Sequence, residues 1–234
     1  MMDGALRFRR LAALRMGLVS LVAMVLAGCS STPPVPDWQV NAHGALTRYT
    51  AAWLAGDSEG ADAEFARTRH EIASTGRLDL LARVQAVRCA VRLASLVLDD
   101  CAGFIPWQAD AAAPEQAYVN YLRTQPALSG DQRGLLPQQH QAVMAATDDG
   151  SRVATLHAMT DPLARLIAAG VLFQQGWLPP AGVAVAVQTA SDQGWRRPLL
   201  AWLSVQLKLA QAAGDLAALG SIQRRMELAG PLTP

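Results

Sequence analysis

Two breaks of the same composition constrain this chain more than any other feature: Gln175-Gly176-Trp177-Leu178-Pro179-Pro180 and Gln193-Gly194-Trp195-Arg196-Arg197-Pro198. In each, glycine can take the left-handed position that ends a helix. Tryptophan supplies the apolar contact after it, and proline begins the next helix. The two glycines lie 18 residues apart, and Ala213-Gly214-Asp215 follows 20 residues further on. Helices of about 15 residues joined by tight turns run antiparallel, so the C-terminal half is expected to be a stack of helical hairpins. The pair period, Gly176 to Gly214, is 38.

The rest of the chain has the same helical period and few strand signals. A helix over 37–55 places Trp38, Ala42, Ala45, Tyr49, Ala52 and Trp53 on one face. Gly56-Asp57 ends it, and a second helix runs to Ala73. A third, over 77–98, carries two apolar stripes: Leu80, Val84, Val87, Val91, Ala94, Leu98 and Ala82, Ala86, Cys89, Leu93, Leu96. A helix apolar on two faces is sandwiched between neighbours. Residues 102–113 read as a loop, Pro114 opens a helix over 114–123, and further helices are expected over 138–147, 151–158 and 161–174. The fold class is therefore all-α, an array of about nine helices in stacked antiparallel hairpins. Its N-terminal half spans 37–124 and its C-terminal half 138–234, with the Gly- and Pro-containing stretch 125–137 as linker.

Residues 1–28 belong to a different layer of information. Arg7, Arg9, Arg10 and Arg15 precede an apolar run over 16–29 that is shorter than the about 20 residues a membrane-spanning helix needs. A positive segment, an apolar segment and small residues at a cut site make an export signal. Its ending, Leu26-Ala27-Gly28-Cys29, resembles the lipobox of bacterial lipoproteins. The resemblance implies cleavage before Cys29, acylation of that cysteine (palmitate among its chains) and anchoring by lipid. More than one acyl chain gives stable attachment, at about 0.8 kcal/mol per buried methylene. In that family an aspartate after the cysteine retains the protein in the inner membrane; Ser30 stands there instead. The implied address is the periplasmic face of the outer membrane. Residues 29–36 form a Pro-rich tether, whose polyproline rise of ~3.1 Å per residue limits its reach to ~20–25 Å.

Removing residues 1–28 takes away four of the 20 basic residues and one of the 19 acidic ones, leaving a net charge of −2. That balance lacks the concentrated basic face that nucleic acid requires. With Cys29 acylated, Cys89 and Cys101 remain, 12 residues apart, in an oxidising compartment, and a disulfide between them is expected. A redox-active pair would need a closer spacing.

Gly56-Asp57-Ser58-Glu59-Gly60-Ala61 with Phe65, and Gly214-Asp215-Leu216-Ala217-Ala218 before Met226-Glu227-Leu228, resemble the turn and second helix of tetratricopeptide-like α-solenoid repeats. Tyr49 stands where such repeats carry a small residue, and the likeness covers about 60 residues. It implies a surface that binds proteins or peptides.

Chemistry-bearing motifs are sparse. His43, His70, His140 and His157 are scattered, and His70-Glu71 lacks the second histidine of a zinc helix, so no metal or cofactor site is expected. No serine sits in a nucleophile elbow. Asp99-Asp100 and Asp148-Asp149 fall at turns, and Glu71 and Glu115 stand alone as acids. Trp195, Arg196, Arg197 and Trp202 combine residue types enriched at interfaces and form the candidate partner-binding cluster; the alternative is that the tryptophans pack between hairpins. Arg88 and Arg92 form a polar strip that could hold an anion or pair with acids of a neighbouring helix. The expectation is a non-enzymatic adaptor or scaffold for another envelope protein. The alternatives are a carrier with a pocket lined by Phe104, Trp107 and Trp177, or a cell-wall enzyme.

Overall fold

A computed structural model describes residues 34–124 and 127–230. The export segment, the lipobox with Cys29, and Ser30 to Pro33 of the tether lie outside the described residues. So do residues 125–126 and 231–234. The described part is all-α, with eleven α-helices, one 3-10 helix and no strand.

The helices α1 (Asp37–Ala55) and α2 (Ser58–Ala73) form a hairpin. Gly56 takes φ 94° and the Asp57 N–H donates to the Ala52 carbonyl at 3.0 Å, closing α1. Asp57 then caps α2, accepting from the Gly60 N–H at 2.8 Å. Buried Ala42, Ala45, Tyr49 and Trp53 face buried Ala61, Phe65 and Ile72. The Tyr49 and Phe65 rings lie 5.1 Å apart.

As expected from its two stripes, α3 (Leu78–Leu93) is sandwiched. Leu81, Val84 and Val91 join the core of the α1–α2 hairpin. Ala82, Ala86, Cys89, Ala90 and Leu93 belong to the larger core of the C-terminal helices. The helix stops at Leu93, five residues short of the expected end. Leu96 takes φ 58°, and the Val97 N–H donates to the Arg92 carbonyl at 3.1 Å. This is the geometry that Gly176, Gly194 and Gly214 adopt, built here without glycine. The early stop lets the chain turn back, and Cys101 reaches Cys89 with a Cα–Cα distance of 5.2 Å to form a disulfide.

Residues 102–110 are not a loop but the 3-10 helix η1 (Ala102–Asp110), which buries Phe104. Next come α4 (Ala113–Arg123), α5 (Gly130–Gly134), α6 (Gln138–Ala145) and α7 (Asp149–Ala158). The stretch expected as a linker therefore contains a short helix, closed by reciprocal Ser129 and Gln132 hydrogen bonds. Leu128 and Leu136 on either side of it are buried in the main core, which is continuous across the expected boundary.

The four remaining helices are α8 (Pro162–Gln174), α9 (Pro180–Asp192), α10 (Arg196–Ala213) and α11 (Leu216–Ala229). Their breaks follow the sequence echo. Gly176, Gly194 and Gly214 have φ between 65° and 69°, and Trp177, Trp195 and Asp215 donate back to Leu172, Ala190 and Ala210 at 2.9–3.0 Å. The helix α8 is buried nearly all round. At Gly170 it crosses α3 so closely that a β-carbon would lie 2.9 Å from the Leu93 carbonyl oxygen.

Sequence neighbours pack on one another through α9, α10 and α11, but α10 also packs on α1. Such a long-range contact is not the nearest-neighbour contact of an open solenoid. The described helices close into one array.

Candidate functional site

The tryptophan–arginine cluster lies inside that closure. Trp202 is 0% exposed, and its indole N–H donates to the Ala94 carbonyl at 3.1 Å, where α3 ends. Phe173 packs on it edge-on at 5.8 Å. Half-buried Trp195 touches both cores. Arg197 donates to the Trp53 carbonyl at 2.7 Å and to Ser58 Oγ at 2.8 Å, with its guanidinium 4.0 Å from the Trp53 ring centroid. Burial and the neighbouring Arg92 lower the Arg197 pKa, burial contributing most. Arg196 is half-buried beside them. The group fastens α10 to α1 and α3, so the expected partner surface is an internal junction.

The other candidate charges are likewise held within the fold. Arg88 pairs with Asp62 at 3.3 Å and covers the Phe65 ring, and Arg92 pairs with Asp99 at 2.7 Å and covers the Trp53 ring. Glu115 pairs with Arg83 at 2.7 Å. Asp148 caps α7 through the Ser151 N–H at 2.9 Å, and Asp149 holds Arg152 at 3.1 Å. Among the described residues no three His, Cys, Asp or Glu side chains are grouped for a metal ion. Phe104 and Trp107 do not meet Trp177 in a common pocket: Phe104 is in the core, Trp107 packs against both cores, and Trp177 faces elsewhere.

Trp177 lies on an open cleft of about 450 Å³ assembled from four parts of the chain. The end of α4 supplies Asn120, Tyr121 and Thr124, and α5 supplies Arg133. Met144 of α6 gives an apolar wall, and Gln174 and Gln175 come from the end of α8. Trp177 is 43% exposed, and the Arg152 guanidinium sits 5.4 Å from its ring centroid. The Gln174 amide nitrogen donates to the Leu122 carbonyl at 2.9 Å, which fixes that wall. Gln175 Oε1 is buried and accepts no hydrogen bond among the described residues. A cleft of similar volume, about 460 Å³, lies across α6 and α7, lined by residues such as Gln138, Thr155 and Met159, with neither a cation nor an aromatic ring.

Beneath the first cleft lies a buried polar pair. His140 on α6 is 2% exposed, with Nδ1 3.1 Å from the Tyr121 hydroxyl and the Tyr118 ring at 5.7 Å. Burial pushes the Tyr121 pKa well up, so the phenol keeps its proton, and the hydroxyl donates to Nδ1 or accepts from it according to the imidazole tautomer. Burial lowers the His140 pKa to about 4, against a smaller opposing pull from Asp161. The unfolded chain then binds a proton that the folded one refuses. Stability is expected to be full above the unfolded histidine value and to fall as pH drops towards about 4. The loss between about pH 7 and about pH 5 is about 2 kcal/mol. Urea titrations of wild type and His140→Gln across that range check it, the variant losing most of the histidine-dependent slope.

No protein-family model, curated protein or solved structure matches the chain. The cleft is not legible in the sequence, because its residues span 120–177 and only Gln175 and Trp177 share a motif, one that marks a helix end rather than a pocket.

Proposed function

We propose that this chain is a lipid-anchored envelope protein, held through acylated Cys29 at the periplasmic face of the outer membrane. There it acts by binding another envelope protein, as a non-enzymatic adaptor or scaffold. The observation that carries the address is the Cys89–Cys101 disulfide. Disulfides persist in oxidising compartments and are rare in a reducing cytosol. The pairing agrees with the export segment that ends at Leu26-Ala27-Gly28-Cys29, an independent feature of the sequence. Those two cysteines are also the pair left over once Cys29 carries lipid. The adaptor role is an analogy from all-helical architecture and from the short tether, which would keep the domain near its membrane.

Fractionation with in-cell crosslinking tests the proposal. Wild type is expected in the outer-membrane fraction, crosslinked to one protein at near-stoichiometric yield. Cys29→Ala is expected to lose the acyl chains and either enter the soluble periplasm or remain uncleaved. An unchanged acylated mass and distribution in Cys29→Ala would sink the anchor. A monomer without crosslinks in intact cells would sink the adaptor role.

One observation favours a second reading, a small-ligand carrier: the cleft beside Trp177 is within the size range of ligand pockets and has polar side chains such as Asn120 and Thr124 in its walls.

A further inference from the structure

We propose that the cleft beside Trp177 binds a saccharide that carries a carboxylate. The inference rests on the carrier reading and is independent of the adaptor reading.

The walls decide the ligand class. Asn120, Thr124, Gln174 and Gln175 present amides and a hydroxyl, groups that both donate and accept. Sugar hydroxyls also do both, so they can satisfy such a lining from either side. Trp177 supplies a flat apolar surface at the rim, held by Arg152, against which the C–H face of a pyranose ring can lie.

A peptide fits this cleft less well. Extended peptides add to a sheet edge, and the described residues contain no strand; helical peptides need a continuous apolar groove. Four polar side chains interrupt any such groove here.

The charge decides the substituent. Arg133 is the cation of the lining, no carboxylate lines the cleft, and Arg133 makes no ion pair among the described residues. A planar guanidinium matches a carboxylate with two parallel hydrogen bonds. The neighbouring cleft across α6 and α7 has neither the ring nor the cation, and it serves as the internal comparison.

The test is calorimetric titration of the full-length protein in detergent with a matched pair, N-acetylmuramic acid and N-acetylglucosamine, which differ by a lactyl ether bearing a carboxylate. The acidic sugar is expected to bind at least about tenfold tighter, the factor of one charge-assisted hydrogen bond. Arg133→Gln is expected to erase that preference, bringing the two sugars within about twofold of each other. Trp177→Ala, checked as folded by circular dichroism, should weaken both at least about tenfold. Equal binding of the two sugars by wild type, or tighter binding of an acidic tripeptide, overturns the proposal but leaves a small-ligand carrier. No binding of any of the three by the folded protein overturns both.

Discussion

Trp202→Ala is expected to destabilise the protein by about 3–5 kcal/mol, the range for removing a fully buried aromatic side chain. Three separate losses add at this site. The indole is 0% exposed, so its whole volume becomes a cavity between α3, α8 and α10. Its N–H is the partner of the Ala94 carbonyl at 3.1 Å, which is left without it where α3 ends. The edge-on contact with Phe173 also goes. Trp202→Phe restores most of the apolar volume but not the donor, so it should cost about 1–3 kcal/mol, the unpaired carbonyl dominating. Urea unfolding followed by far-ultraviolet circular dichroism separates the two. A loss below about 1 kcal/mol for alanine would mean that the residue is not a core element. That result would return Trp202 to the surface role its composition had suggested.

The second large effect concerns the Cys89–Cys101 bond. Reduction, or replacement of both cysteines by serine, is expected to lower stability by about 3 kcal/mol for a closed loop of this length. The loop spans 12 residues and contains three non-glycine residues at positive φ, Leu96, Asp100 and Cys101. Non-glycine residues rarely rest there without support, and the cross-link supplies it by holding both ends of the segment. A drop in thermal midpoint of about 10 °C should accompany the loss. Superimposable melting curves with and without reductant would show that the segment holds its shape unaided.

How much of this was readable beforehand depends on whether a feature is local. The breaks at Gly176, Gly194 and Gly214 were legible because glycine marks the left-handed position openly. The equivalent closure at Leu96 was not, since leucine gives no such mark, and the third helix was carried five residues too far. A helix carried on to Leu98 would lead the chain away from Cys89; the end at Leu93 leaves room for the chain to turn back and bring Cys101 to it. The sandwiched position of α3 was legible from its two stripes, because burial on two sides is written into one short segment.

Trp195, Arg197 and Trp202 show the opposite case. Aromatic residues beside arginine are enriched at interfaces between proteins, and the same physics serves interfaces between helices of one chain. Composition alone cannot separate the two, because the answer lies in α1, more than 130 residues upstream, where Trp53 and Ser58 receive Arg197. His140 was hidden for the same reason. Its partner Tyr121 is 19 residues away on another helix, and nothing in its own neighbourhood signals burial. The cleft combines both difficulties, with ordinary amides from two helices meeting one tryptophan.

The central claim, that this helical domain works from a lipid anchor in an oxidising compartment, is tested most directly by the intact mass of the protein purified from membranes without reductant. The account predicts a chain beginning at Cys29, heavier by its glyceride-linked and amide-linked acyl groups and lighter by two hydrogens for the Cys89–Cys101 bond. A chain that retains residues 1–28, or one cleaved there without added lipid and with both thiols free, would contradict it.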